Sequence, residues 1–170
     1  MKKVALFGDT GMVGQEIERI LVYHDQVEIG YRQNSTRQEG NLDACEIVFL
    51  ATKDPESMTF AAELAKKGKR VIDMSGAFRL TQELFEAGYG MAHTAPDLLK
   101  TAVYGMPALH ADEIKEAGIV GSPGCYPTSV ILALKPLTDL LQGDATIVAT
   151  SGISGARREV GDWDNEVTYS

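Results

Sequence analysis

The chain has 170 residues, 44% hydrophobic and 24% charged, with a formal net charge of -8 at pH 7, which suits one domain, or one domain and a piece of a second, and leaves no case for disorder. The acid excess excludes a surface built for nucleic acid, so an anionic ligand must be held by local glycine turns and single arginines against the overall field. Two cysteines, Cys45 and Cys125, without paired spacing or a histidine cluster, argue against a disulfide framework and against a metal site of the zinc type.

The first eight residues, Met1-Lys-Lys-Val-Ala-Leu-Phe-Gly8, read as a strand running into glycine and not as a signal peptide. No apolar run reaches the length of a membrane span, so a cytoplasmic protein is expected. Gly8-Asp-Thr-Gly11-Met-Val-Gly14 follows directly. A helix is expected next, with Val13, Ile17, Ile20 and Leu21 as its inner face and Gln15, Glu16, Glu18 and Arg19 on its wet side. A glycine turn between strand and helix lets backbone N–H groups approach a pyrophosphate and aims the helix N-terminus at its charge. Gly-x-x-Gly-x-x-Gly is a variant of the dinucleotide fingerprint, in the strand-turn-helix context that the motif requires.

Val27 to Tyr31 reads as a second strand, followed by Tyr31-Arg32-Gln-Asn-Ser35-Thr-Arg37 with no acid before Glu39. An acid at this place accepts from a ribose hydroxyl, whereas arginine suits a 2′-phosphate. The segment is read as a phosphate-binding loop and the cofactor as NADP, with solvated loop charges as the plain alternative. Only Gln38 to Ala44 leads on to the third strand, Glu46 to Ala51, so the crossover helix is expected to be small or missing. Cys45 is expected in the core. A helix over Pro55 to Lys67 stopped by Gly68, and a strand over Arg70 to Met74 ending in Ser75-Gly-Ala-Phe-Arg79, come next. From Thr81 to Thr101 the pattern weakens around Gly88, Gly90 and Pro96, as in a long connection or flap. Val103 to Ala108 reads as a strand end, Asp112 to Ala117 as a short helix and Gly118 to Val120 as a strand. Strands alternating with helices imply an α/β fold with a mostly parallel, Rossmann-like sheet.

Gly121-Ser-Pro-Gly-Cys125-Tyr-Pro-Thr-Ser-Val130 then places Cys125 at the mouth of a helix, with the apolar stretch Ser129 to Leu141 expected as a core element. Unpaired N–H groups and the positive end of a helix dipole favour thiolate over thiol, and Pro127 suits a first helical turn. The plain alternative is a small buried hydrophobe. A last strand over Thr146 to Thr150 and a glycine-serine loop from Ser151 to Arg158 complete the pattern.

With a nucleotide loop and a helix-mouth cysteine both present, the sequence resembles the N-acetyl-gamma-glutamyl-phosphate reductases of arginine biosynthesis. The resemblance runs from about Lys3 to about Arg158 and rests on Gly8–Gly14, Val71-Ile-Asp-Met-Ser-Gly-Ala-Phe-Arg79-Leu, Val103-Tyr-Gly-Met-Pro107, Pro123-Gly-Cys-Tyr-Pro-Thr128 and Ser151-Gly-Ile-Ser-Gly-Ala156. The Pro-Gly-Cys-Tyr-Pro-Thr block is the most specific, and the aspartate-semialdehyde and glyceraldehyde-phosphate dehydrogenases fit it less well. The resemblance implies an NADPH-dependent acyl-phosphate reductase that works through a thioester on Cys125. It implies a cofactor-binding domain over residues 1–122 and the start of an α+β catalytic and dimerisation domain over 123–170.

By position, Gly8, Thr10, Gly11, Met12, Val13 and Gly14 take the cofactor, with its pyrophosphate on Gly11 to Gly14. Arg32, Ser35 and Arg37 take the 2′-phosphate, and Ala51 and Ser75 lie along the cofactor. Ser154, Gly155 and Ala156 close over the nicotinamide end. Arg79 and Arg157 are candidates for a substrate phosphate or carboxylate, each also readable as a structural ion pair. Implied partners are a small acyl-phosphate substrate, inorganic phosphate and a second copy of the chain. Three departures from the family pattern, Ala77, Ala108 and Gly155-Ala-Arg-Arg158, bear on substrate geometry.

The aminoadipyl reductases of lysine biosynthesis and a nucleotide-binding module without catalysis remain open alternatives. None of His24, His93 and His110 fits the family's downstream general acid/base. The 170 residues are therefore expected to be part of a longer polypeptide, or an incomplete copy that associates through Ile131 to Leu141.

Overall fold

The computed structural model describes residues 1–152 and Gly155. Two compact units are present, Met1–Pro123 and a second beginning at Gly124.

The first unit is a seven-stranded sheet flanked by helices. Its elements are β1 (Lys2–Phe7), α1 (Met12–Val22), β2 (Val27–Gln33), β3 (Gln38–Gly40), β4 (Ile47–Leu50), α2 (Asp54–Lys66), β5 (Arg70–Asp73), α3 (Gln82–Tyr89), α4 (Pro96–Leu99), β6 (Val103–Tyr104), α5 (Pro107–Glu116) and β7 (Ile119–Gly121). The strand order is β3-β2-β1-β4-β5-β7-β6. Only β3 runs antiparallel, against β2, while the other pairings are parallel. The chain builds outward from β1 through β2 to β3 and then returns to β4 on the other side of β1. This reversal opens a crevice at the carboxyl ends of β1 and β4, where open α/β sheets bind ligands.

Residues alternate between the two faces of β1. Ala5 and Phe7 join a core with Val48, Leu50, Met58, Ala61, Leu64, Val71 and Phe85, while Val4 and Leu6 pack with Ile17 and Leu21. Helices therefore cover both faces, and the strands read as near-continuous apolar runs, as buried parallel strands do.

Most expected elements are present within a residue or two. The short crossover is filled by β3 and a 3₁₀ turn at Leu42–Ala44 in place of a helix, and α2 stops at Gly68, whose φ is +68°. Four expectations need correction. Val13 and Ile20 of α1 are exposed, because the buried stripe is centred on Gly14, Ile17 and Leu21 and these two lie on its flank. The stretch from Thr81 to Thr101 is no flap. Thr81 caps α3 by accepting from the Leu84 N–H, Gly90 closes it at φ +66°, and Phe85 is fully buried. The helix expected over Asp112 to Ala117 begins earlier, at Pro107, and bends at His110, whose φ and ψ of -129° and 32° are not helical.

The fourth correction concerns the second unit. Its helix α6 (Cys125–Leu134) starts at the cysteine and gives way to a 3₁₀ turn at Lys135–Leu137. Pro136 lacks the N–H that would continue the ladder, so the helix cannot reach Leu141. None of its side chains is buried, and Leu132, Leu137, Leu140 and Leu141 are exposed. Thr146 to Thr150 forms no strand; a strand needs a ladder partner, and the described residues of this unit supply none.

Candidate active site

The glycine loop divides its three glycines by task. A Cβ on Gly8, at φ +81°, would run into the Ala51 carbonyl oxygen, and one on Gly14 into the Gly8 carbonyl oxygen and the Asp9 Cα. Gly8 thus permits the turn, and Gly14 lets α1 lie against it. Gly11 differs, because the nearest atom to its missing Cβ is the Gly8 oxygen at 3.5 Å. The absent side chain there leaves open space for a ligand.

Gly11 is also the N-cap of α1. It offers no side-chain cap, and there is no acid in the first turn, so the first N–H groups of α1 have no competing anion on their own helix. Thr10, Gly11, Met12 and Val13 are all exposed at this lip. Gln15 Nε2 donates to the Thr10 carbonyl at 3.0 Å and steadies the loop from behind. These features fit a pyrophosphate.

Along the same edge, Ala51 follows β4 and is half-buried. Ser75 follows β5 and is buried; its hydroxyl donates to Asp73 Oδ2 at 2.6 Å and accepts the Ala77 N–H at 3.1 Å. The hydroxyl is fully engaged, so Ser75 shapes the turn. Burial pushes the Asp73 carboxyl up, against hydrogen bonds from Ser75 and Ser57 and the charge of Arg79. Arg79 donates through Nε to the Ser122 carbonyl and through Nη2 to the Met74 carbonyl at 2.8 Å. It thereby ties the carboxyl ends of β5 and β7 together.

The two arginines expected in a phosphate-binding loop are both paired, and Arg32 lies inside β2 and not in the loop, because the strand runs on to Gln33. Arg32 donates to Glu18 of α1 at 2.6 and 2.9 Å. Arg37 pairs with Asp9 and, at 3.3 Å, with Glu39. Ser35 is exposed at the tip of the turn between β2 and β3. Asp9 is the residue that sequence reasoning missed. It lies inside the glycine loop, and the side chains that meet it come from 25 and 28 positions later. Nothing local in the sequence signals that contact, because the sheet order creates it.

Cys125 is exposed and Cys45 is buried. Burial pushes the Cys45 thiol up, against the charges of Lys69 and Lys3, and Cys45 sits in the core as expected. Cys125 is the first residue of α6, where the Gly124 N-cap brings no capping side chain and the ladder begins with the Thr128 N–H donating to the Gly124 carbonyl at 3.0 Å. Pro127 lies in the first turn, where its missing N–H removes nothing. Ser154, Ala156 and Arg157 lie outside the described residues; the Gly155 N–H donates to the Gly152 carbonyl at 2.9 Å.

His93 is a core residue. Its Nε2 donates to the Ala77 carbonyl at 2.9 Å, its Nδ1 accepts the Ala95 N–H at 3.2 Å, and Phe78 and Phe85 meet its ring edge-on. Burial pushes its pKa down, opposed by the Ala77 bond and the Glu86 charge. His110 stands at the bend of α5, within 3.5 Å of Glu113. Among the described residues, no group of three or more His, Cys, Asp or Glu side chains could hold a metal ion, and no helix is long and apolar enough to cross a membrane.

The chain is 41% identical to the N-acetyl-gamma-glutamyl-phosphate reductase of Thermus thermophilus, covering 92% of the chain and 51% of that protein. It is 37% identical to the reductase of the same name from Acinetobacter baumannii, covering 94% of the chain and 54% of that protein. The chain therefore spans about half the length of the curated relatives it matches. Among solved structures, it superposes on aspartate semialdehyde dehydrogenase II from Vibrio cholerae, complexed with ASA, with a TM-score of 0.56 at 20% identity over 82% of the chain and 47% of that chain. The aspartate semialdehyde dehydrogenase of Candida albicans, solved with NADP, gives 0.53 at 17% identity, over the same 82% and 47%. Both share the fold. The family model of the semialdehyde dehydrogenase NAD-binding domain matches residues 31–117. By that match, the chain belongs to the semialdehyde dehydrogenase family through its NAD-binding domain.

Proposed function

We propose that this chain is the cofactor-binding and nucleophile-bearing part of an N-acetyl-gamma-glutamyl-phosphate reductase, reducing the acyl phosphate to N-acetylglutamate 5-semialdehyde with NADPH in arginine biosynthesis. The observation that carries the reading is Cys125, exposed at the first position of an uncapped helix in a chain whose 37–41% identical relatives bear that name. On this reading residues 1–122 bind the cofactor and residues 123–170 begin the catalytic and dimerisation domain of a cytoplasmic homo-oligomer.

Cys125 Sγ attacks the acyl carbon, the C–O bond to phosphate breaks, and inorganic phosphate leaves with that bond's electron pair. A thioester remains, which splits one difficult step into two easier ones. The reduced nicotinamide, when bound, supplies a hydride to the thioester carbon. Collapse of that adduct re-forms the carbonyl and returns the electron pair to Cys125 Sγ. Backbone N–H groups at the start of α6 suit the oxyanion that develops.

Gly8, Thr10, Gly11, Met12, Val13 and Gly14 hold the cofactor, with the pyrophosphate against the uncapped start of α1. Arg32, Ser35 and Arg37 favour NADP, Ala51 lines its path beside the turn that the buried Ser75 shapes, and Ser154, Gly155 and Ala156 take the nicotinamide end. Arg79, fixed by two of its three nitrogens, and Arg157 are the proposed cations for the substrate's phosphate or carboxylate. The test is phosphate-dependent NADP reduction with N-acetylglutamate semialdehyde against the aminoadipate and aspartate analogues. Fastest turnover of the acetylglutamate compound is expected, and a preference for either analogue overturns the substrate assignment.

A further inference from the structure

Asp9 uses both carboxylate oxygens to join two loops. Its backbone belongs to the glycine loop, between Gly8 and Thr10. Its Oδ1 accepts from Asn34 Nδ2 at 2.9 Å, and its Oδ2 accepts from Arg37 Nη2. Asn34 organises the turn in its own right, since its Oδ1 accepts the Thr36 N–H at 2.9 Å, the Thr36 hydroxyl at 3.0 Å and the Arg37 N–H at 3.0 Å. One carboxylate thus fixes the orientation of the Asn34 amide, through it the backbone N–H groups of Thr36 and Arg37, and separately the Arg37 guanidinium.

The burial of the pair is lopsided. The Asp9 side chain is 2% exposed and that of Arg37 47%. The acid therefore lies beneath the cation, whose Nη1 also meets the exposed Glu39 at 3.3 Å, and about half of the Arg37 side chain faces solvent, where a phosphate can reach it in exchange for Glu39. Burial works to raise the Asp9 carboxyl, and the bonds from Asn34 and Arg37 with the Arg37 charge outweigh it, so Asp9 stays charged below the ordinary carboxylate range.

We propose that Asp9 is the positioning residue for cofactor choice: it holds Asn34 and Arg37 from below, so that the turn bearing Ser35 and Arg37 sits at a fixed place beside the pyrophosphate loop and receives a ribose 2′-phosphate. This rests on the NADP reading above. Removing the carboxylate leaves the glycine loop and its N–H groups in place but releases the turn, so the loss falls on the 2′-phosphate alone.

The test is calorimetric titration of the full chain with NADP⁺ and with NAD⁺, for wild type, Asp9→Asn and Asn34→Ala. A charge-assisted contact contributes about 1.5–3 kcal/mol, or about ten- to hundredfold in Kd. Asp9→Asn is expected to lose about that factor for NADP⁺ while NAD⁺ binding holds. Asn34→Ala, a change at a half-exposed site, is expected to lose NADP⁺ selectively as well, and it carries the test if Asp9→Asn does not fold. Equal loss of both cofactors makes Asp9 a general structural residue and overturns the inference. So does an unchanged ratio, and so does tighter NADP⁺ binding, which makes Asp9 a competitor for Arg37. A wild type without preference for NADP⁺ overturns the NADP reading itself, which separates that failure from a failure of the role of Asp9.

Discussion

Gly14→Ala and Gly11→Ala separate the fold of the glycine loop from its ligand. At Gly14 the new methyl meets the Gly8 carbonyl and the Asp9 Cα, which are backbone atoms and cannot rotate aside. α1 must move off the loop, and overpacking of this kind costs about 1–3 kcal/mol. At Gly11 the φ and ψ of -75° and 161° are open to any residue, and the nearest atom is 3.5 Å from the new carbon. Alanine is a poorer N-cap than glycine but has a smaller unfolded-state entropy, and the two effects offset to within about 1 kcal/mol. The Gly11 methyl fills the space through which a pyrophosphate reaches the N–H groups, so nucleotide binding is expected to weaken by about ten- to hundredfold, equivalent to about 1.4–2.8 kcal/mol. Urea denaturation followed by circular dichroism, with calorimetric titration of NADP⁺, gives both quantities on each variant. The expected pattern is a lowered midpoint for Gly14→Ala and a near-wild-type midpoint with weak binding for Gly11→Ala. Undiminished binding by a well-folded Gly11→Ala protein would refute the assignment of that lip to the cofactor.

Limited alkylation with iodoacetamide at neutral pH should modify Cys125 and spare Cys45, because one is exposed and the other is buried with its thiol pushed up; peptide mapping that finds Cys45 labelled first contradicts this. Replacing Arg32 and Arg37 together by alanine should weaken NADP⁺ and leave NAD⁺ nearly unchanged. It should also lower stability by about 1–3 kcal/mol, since the buried Asp9 loses its charged partner; equal losses for both cofactors would show that the arginines read a feature common to them. His93 gives a pH dependence. Its folded pKa lies below the unfolded value of about 6.5, so the unfolded chain binds the proton first, and the stability from the neutral ring is present above that value and is lost as pH falls through it toward the folded pKa. Urea midpoints between pH 8 and pH 5 should fall below about pH 6.5, and a profile indifferent to His93→Gln would exclude His93 as the source.

The parts of the fold legible in the sequence are those with a local signal. Gly8, Gly11 and Gly14 mark the turn by type and spacing, and the apolar runs of β1, β4 and β5 identify buried parallel strands. The tasks of the three glycines are less legible, since they depend on Ala51 and Gly8 carbonyls brought up by the sheet. α3 is not legible in the sequence: Thr81 and Gly90 cap it, but its eight residues contain Gly88 and only one fully buried side chain, Phe85, so periodicity is weak. Val13 and Ile20 show the limit of periodicity on a single helix. Apolar spacing finds the face but not its width, which the contact of Gly14 with the loop determines. The pairing of Asp9 with Arg37 and Asn34 crosses from one strand end to the next and has no counterpart in local sequence. The same holds for Arg79, whose ties to Met74 and Ser122 depend on β5 and β7 being neighbours.

Cys125 is proposed to carry the acyl group. Incubating the protein with N-acetylglutamate semialdehyde and NADP⁺ in the absence of phosphate runs the reaction backward: the thiol adds to the aldehyde, hydride passes to NADP⁺, and the thioester accumulates because nothing discharges it. Peptide mass spectrometry is predicted to find the N-acetylglutamyl adduct on Cys125, dependent on NADP⁺ and removed by added phosphate. An adduct on Cys45, or one on Cys125 that forms without NADP⁺ and survives phosphate, would contradict the account.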